Sequence, residues 1–334
     1  MAITIKDIAK ECDVSITAVS FVLNGKDDLV SEKTKEKILN TCKKYNYKPN
    51  YLASALKSKT TNTIGVLIPD LENGYYTRIL KGLDLLLKEK GYFLIISESG
   101  YDFNQFKDAI VDMIDKSIDY LVIVPPSKFG KIKKETIADV LKAIDIPYCI
   151  LDRQLDVEQK NAVINNDIKG GYIATKYLLD NGHRKIACIS GPSDVSSSID
   201  RLEGYKLALK EYNIAFDDSL VFESNYRFEE TLGIAEDIII NKKIRSIFAF
   251  NDLMAYAVYK VANKYKLNIG EDISLVGYDD NKFSSLIAPG LTSVKQDIDK
   301  LCEEVVNSLF NNNESTSVIM VEPTLSIKGS VKTC

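Results

Sequence analysis

The chain has 334 residues, too many for one ordinary domain and suited to two or three. With 45% hydrophobic and 27% charged residues it has the composition of a globular protein, which excludes wholesale disorder. The net charge of -4 conceals an asymmetry: residues 1–60 hold 11 Lys against 7 Asp or Glu, a basic head on an acidic body, as expected when only the head meets DNA.

One histidine, His183, and six scattered cysteines without a C-x-x-C pair argue against a zinc site and for buried, reduced thiols. His183, in Gly182-His183-Arg184, reads as structural. No basic leader precedes an apolar segment, and no stretch of about 18 apolar residues occurs. A soluble cytoplasmic chain is expected, without membrane contact, metal or cofactor.

In chain order, Thr4 with Asp7 three residues later forms a capping pattern that opens a helix over residues 5–12, with Ile5, Ile8, Ala9 and Cys12 as its inner stripe. After a short turn at Asp13-Val14, Ser15 caps a second helix, Ile16 to Leu23, which stops at Asn24-Gly25. Ser31 starts a third, with Ile38, Cys42 and Tyr45 on its inner face. Two short helices joined by a tight turn and backed by a third make a helix-turn-helix, whose second helix lies in the major groove. Val19, Val22 and Leu23 face inward, which leaves Ile16, Thr17, Ser20 and Phe21 outward. A generic bundle would expose the same positions to water, but an outward Ile and Phe suit thymine methyls and base edges better. Pro49 and Asn50 then open a short helix over 50–57 with Ala53 and Leu56 on one side, too short to be stable unless something covers it. Polar residues 58–62 follow as a linker.

From residue 62 strand and helix patterns alternate. Continuous apolar runs at Thr63–Ile68, Tyr92–Ser97, Tyr120–Val124, Pro147–Leu151, Lys185–Ser190, Ser246–Phe250 and Ile273–Gly277 read as parallel strands covered on both faces. Between them Tyr76–Lys90, Ile168–Asn181, Arg201–Tyr212 and Leu253–Tyr265 read as helices, giving an α/β core of two sheets in two lobes. Ligands of such sheets collect beyond the strand C-termini. Polar residues there are the candidates: Asp152-Arg153, Asn251-Asp252 and Tyr278-Asp279-Asp280. For Asp252 a helix cap is the preferred role. Tyr75 and Tyr76 suit either ring stacking on a ligand or core packing.

The segments VSITAVSFVLNG (14–25) and YKPNYLASALKSKTTNTIGVLIPD (47–70), with the later Arg-x-x-Gly-Tyr and LTSVKQD, resemble the lactose-repressor (LacI/GalR) family of bacterial regulators from end to end. The resemblance implies an all-α helix-turn-helix head (1–48), a hinge helix and linker (49–61) and a core (62–334) of two Rossmann-like, periplasmic-binding-protein-like lobes. The first lobe would comprise about 62–162 and 291–321, the second about 163–290 and 322–334. It further implies a homodimer on a near-palindromic operator, found on the nucleoid when DNA-bound. Thr4, Lys6, Ser15, Ile16, Thr17, Ser20, Phe21, Asn24, Asn50, Ala53, Leu56 and Lys57 would meet DNA, with Leu56 wedged into a minor-groove step. Tyr75, Tyr76, Ser127, Asp152, Ser197, Arg201, Asn251, Asp279 and Gln296 would meet a small effector, a sugar or sugar phosphate before a nucleobase.

Three departures matter. The family usually has Thr at Ala18, commonly Arg at Phe21, and Asp-Asn where this chain has Asn165-Asn166, one charge fewer near the cleft. The competing classes are a solute-binding protein, disfavoured by the extra head and missing leader, and a sugar-metabolising enzyme. For the enzyme there is no phosphate loop, G-x-S-x-G or metal cluster.

Overall fold

The computed structural model describes residues 3–23, 27–47, 60–100, 102–125, 134–153, 161–310 and 317–334. They fall into two compact units divided between Thr61 and Asn62. The expected contacts Asn24, Asn50, Ala53, Leu56, Lys57 and Ser127 lie outside the described residues.

In the first unit α1 (Ile5–Cys12), α2 (Ile16–Leu23) and α3 (Glu32–Lys44) enclose a core of Ile8, Ala9, Cys12, Val19, Val22, Ile38 and Cys42. Asp7 accepts from Thr4 N at 2.9 Å and Thr4 Oγ1 at 2.7 Å, and these bonds, the side-chain one foremost, lower its pKa. Ser15 Oγ accepts from Ala18 N at 3.1 Å and starts α2. Tyr45 departs from expectation: it caps α3, is 37% exposed and donates to Glu11, while Tyr47 packs on the core in its place. The chain turns outward at the end of α3, so the helical spacing no longer holds at Tyr45.

The second unit contains two six-stranded sheets. The first is ordered β11-β5-β4-β3-β1-β2, from β1 (Thr63–Ile68), β2 (Phe93–Glu98), β3 (Tyr120–Ile123), β4 (Tyr148–Asp152), β5 (Asn161–Asn165) and β11 (Ser317–Val321). All its pairs are parallel. Helices α4 (Gly74–Glu89), α5 (Phe103–Asp115), α6 (Lys134–Lys142) and α11 (Ile298–Phe310) belong to this lobe, and two apolar clusters fill it. The second is ordered β12-β10-β9-β8-β6-β7, from β6 (Ala187–Ser190), β7 (Val221–Glu223), β8 (Ser246–Ala249), β9 (Ser274–Tyr278), β10 (Thr292–Lys295) and an antiparallel β12 (Thr324–Ser326). With it go α7 (Asp167–Asp180), α8 (Ser196–Glu211), α9 (Phe228–Glu236) and α10 (Asp252–Lys264) around one large core.

Two expected crossing points shift. Ile164 and Asn165 pair with β11, so the chain leaves the first sheet after Asn165, a little beyond the expected 162. Thr292, Ser293 and Val294 pair with β9, so the return falls after Lys295 and not near 290; Pro289-Gly290 breaks the chain inside the second lobe. The runs also differ in cover. β1 is buried at all six positions, whereas edge strand β2 leaves Phe93 62% and Ile96 43% exposed. Of the six cysteines five are buried, but Cys334 is exposed beside His183, whose Nε2 lies 2.9 Å from Lys332 O.

Both sheets share one strand logic: β2-β1-β3-β4-β5 in the first and β7-β6-β8-β9-β10 in the second. In each, successive strands are added on opposite sides of the first, which opens a crevice at the carboxyl ends.

Candidate functional site

The crevice residues come from the ends of strands and from the loops and early helical turns that follow them. Asn73, Tyr75, Tyr76, Asp152, Arg153, Arg201, Tyr226, Asn251 and Asp279 line a cavity of ≈ 30 Å³, room for about two waters, and direct bonds from Arg78 to Asp279 O and Asp280 O hold the lobes together beside it. Four side-chain-bearing residues around it have left-handed backbones: Asp152 (φ 71), Tyr226 (φ 67), Asp279 (φ 102) and Asp280 (φ 47). Such conformations are costly and concentrate at sites where the surroundings hold them.

On the first lobe the chemistry centres on Asp152. Its carboxylate accepts from Tyr75 OH at 2.7 Å, Tyr76 OH at 3.3 Å and Asn165 Nδ2 at 3.1 Å, and Asn165 also donates to Tyr75 OH at 2.8 Å. The Asn165 amide therefore does what a carboxylate in its place cannot, since an ionised acid there would face Asp152 charge to charge. Of the two roles expected for Tyr75 and Tyr76, the structure shows core packing, and both hydroxyls reach the Asp152 carboxylate at the cavity. Burial, then Asp152, pushes the Tyr75 phenol well above its usual range, so it is a neutral donor.

On the second lobe Arg201 is buried in α8. Its Nε donates to Asp167 Oδ1 at 2.8 Å, its Nη1 donates to Phe250 O, and its guanidinium lies 3.6 Å from the Tyr278 ring centroid. Tyr278 OH donates to the same Asp167 oxygen at 2.7 Å. Burial raises the Asp167 pKa, and Arg201 opposes the rise. The Arg-x-x-Gly-Tyr motif has a physical basis here. A Cβ on Gly204 would run into Ile168 O and Tyr172 N, so only glycine lets α8 meet α7, and Tyr205 OH anchors the helix on Ile186 O at 2.9 Å.

The helix cap expected of Asp252 falls to Asn251. Asn251 is the helix cap, accepting from Met254 N at 2.8 Å, while its Nδ2 donates to Tyr226 O at 2.9 Å; it still lines the cavity. Asp252 turns inward and accepts from Ser293 Oγ (2.6 Å), Ser284 Oγ (2.5 Å) and Asn281 N (2.7 Å), tying loops together. Burial lifts its pKa to about 6 against these donors.

Asp279 is buried, and burial raises its pKa well above the usual range with Arg201 opposing. Gln296 stands behind it, donating to Asp279 Oδ1 at 2.7 Å, while its own buried Oε1 has no partner among the described residues. Ser197 is also one step back, its Oγ 3.4 Å from Tyr226 OH. Sequence reasoning missed Asn73, Asp167 and Tyr226. Arg153 and Tyr278 stood among its strand-end candidates without a role of their own, and Asn165 carried a signal as a departure from a familiar pattern.

In the head, Thr4, Lys6, Ser15, Ile16 and Thr17 are exposed, and Ser20 and Phe21 half-buried. Among the described residues no three His, Cys, Asp or Glu gather as a metal site, and no helix is long and apolar enough to cross a membrane.

Comparison with known proteins gives two family matches: "Bacterial regulatory proteins, lacI family" over residues 4–50 and "Periplasmic binding protein-like domain" over 175–331. The HTH-type transcriptional repressor PurR of Vibrio atlanticus is 32% identical over 335 residues, 99% of each chain. The ribose operon repressor of Haemophilus influenzae is 31% identical over 98% of each. Among solved structures, the lac repressor dimer bound to operator and the anti-inducer ONPF is 25% identical, with a TM-score of 0.86 over 99% of this chain and 100% of that one.

Proposed function

The chain belongs to the lacI family of bacterial regulatory proteins, a DNA-binding transcription regulator and not an enzyme, and on that footing we propose how it works. Two copies pair, and each head sets α2 on one half-site of a near-palindromic operator through Ile16, Thr17, Ser20 and Phe21, with Thr4, Lys6 and Ser15 toward the backbone. The hinge over 49–61 joins head to core and carries Leu56 to the minor groove. The cleft takes a small polyhydroxylated effector, a sugar first, which alters operator affinity in the cytoplasm.

One observation carries the effector reading. Carboxylates (Asp152, Asp279), an amide (Asn251), phenols (Tyr75, Tyr76) and a guanidinium (Arg201) from two lobes converge on one small space. Such a mixture of donors and acceptors suits hydroxyl groups, which need both.

The test is a thermal-shift screen of the full chain with sugars, sugar phosphates and nucleobases, followed by operator titration with each hit. A neutral sugar such as D-ribose is expected to raise the melting temperature and change operator affinity, and Asp279→Asn to remove both effects while leaving affinity without effector near normal. A stabilising compound that leaves operator binding unchanged, or a response that survives Asp279→Asn, refutes the reading.

A further inference from the structure

We infer that Arg78 is a positioning residue that ties closure of the two lobes to the presentation of Asp279 in the cleft. The inference rests on the effector reading above only for what Asp279 does to a ligand. Arg78 lies on α4 in the first lobe and is not among the residues lining the cavity. Its Nη1 reaches across to the second lobe and donates to two successive backbone carbonyls, Asp279 O at 2.9 Å and Asp280 O at 3.2 Å.

Those two residues have consecutive left-handed backbones, φ 102 and φ 47. Side-chain-bearing residues hold such conformations only where several neighbours fix them. From the second lobe come four restraints: Asp279 N to Val294 O (2.8 Å), Asp280 N to Ser293 Oγ (3.0 Å), Gln296 Nε2 to Asp279 Oδ1 (2.7 Å) and Lys328 Nζ to Asp280 Oδ1 (2.5 Å). These hold amides and carboxylates. Arg78 takes the carbonyls, and it does so from the opposite lobe. The N-terminus of α4 also comes close to this loop, since a Cβ on Gly74 would lie 2.7 Å from Asn281 Nδ2.

When the lobes part, the guanidinium leaves, both carbonyls turn to water, and the strained pair relaxes with the Asp279 carboxylate attached to it. The closed form thus holds Asp279 in place before a ligand arrives, and the open form does not. Preorganisation of this kind strengthens binding by removing an ordering cost.

The test is hydrogen exchange by mass spectrometry on the full chain without ligand, comparing wild type, Arg78→Ala and Arg78→Lys. Loss of a charge-assisted bond should speed exchange about tenfold. The gain is expected in both segments that meet, 70–76 and 278–281, with the interiors of β1 and β9 unchanged. Lysine, which keeps a charge of similar reach, should restore part of the protection. Unchanged exchange at 278–281, a change confined to 70–76, or loss of protection throughout both sheets would each overturn the inference.

Discussion

Replacing Arg201 by methionine tests whether the second lobe depends on one buried ion pair. Methionine keeps much of the length and the apolar contact with Tyr278 but removes the charge. The two side chains of the pair are 6% and 3% exposed, with Nε and Oδ1 2.8 Å apart, so screening by water is slight. Removing one partner of a buried pair costs about 3–5 kcal/mol, because the other charge is left uncompensated. Loss of the bond to Phe250 O adds roughly 1–3 kcal/mol. These terms overlap, and a total of about 4–6 kcal/mol is expected, a large part of the 5–15 kcal/mol that holds a domain. The assay is urea denaturation of the full chain by circular dichroism across pH. Burial already raises the folded-state pKa of Asp167, and Arg201 opposes this, so its removal raises the pKa further. A carboxyl with a raised folded pKa carries no penalty below its unfolded value and a growing one as pH rises to the folded value. The deficit of Arg201→Met should therefore shrink from about pH 8 to about pH 5, and Asp167→Asn in the same chain should recover roughly 2 kcal/mol at the higher pH. A deficit below about 1.5 kcal/mol, or one that ignores pH, refutes the reasoning. It also follows that Arg201→Ala is a poor probe of effector binding alone.

Asn165→Asp should cost about 2–4 kcal/mol at high pH, where it loses two donated bonds and faces Asp152, and less at low pH, where the protonated acid donates again; thermal melts across pH decide, and a pH-independent loss counts against the geometry. Gly204→Ala should destabilise by about 3 kcal/mol or more in denaturant, because its methyl group meets the backbone at Ile168 and Tyr172; a neutral result would mean α7 and α8 separate freely. Phe21→Ala should change base preference in a randomised-site selection while shifting head stability by under about 1 kcal/mol; an unaltered preference removes α2 from base readout.

Where local rules are strong the sequence was readable. Thr4 with Asp7, Ser15 before α2 and the spacing of Ile8, Cys12, Val19, Ile38 and Cys42 gave the head, because caps and helical stripes are local features. Looking just beyond apolar strands led to Asp152, Asn251 and Asp279. What escaped is what only three-dimensional convergence creates. Asp167 reads as an ordinary acid in a first helical turn, and nothing near it in sequence indicates that Arg201 and Tyr278 will meet it. Asn251 and Asp252 can each cap a helix; the choice is made by Ser284, Ser293 and Asn281, which draw Asp252 inward. Edge strands β7 and β12, three residues each, are too short for periodicity to register.

The energies of closure fall in a range that a small ligand can govern. Arg78 on two carbonyls is worth about 1.5–3 kcal/mol. A further cross-lobe pair among the described residues, Arg227 with Asp70 at 3.7 Å, is half-exposed on the Arg227 side and adds roughly 0–1 kcal/mol. A closed form favoured by about 2–4 kcal/mol would leave roughly 0.1–3% of molecules open, enough for entry through a cleft whose cavity holds about two waters. Reversing a two-state balance from 1:99 to 99:1 takes about 5.5 kcal/mol of differential affinity, which two or three charge-assisted bonds to Asp152, Asp279 or Arg201 can supply. A much stronger latch would exclude the ligand, and one much weaker would leave Asp279 unheld. The effector acts on DNA binding only through the difference between its contacts in the two lobe arrangements. Arg78 belongs to that difference without touching the ligand: its bonds exist in the closed form alone, and the residue they hold is one the ligand must meet.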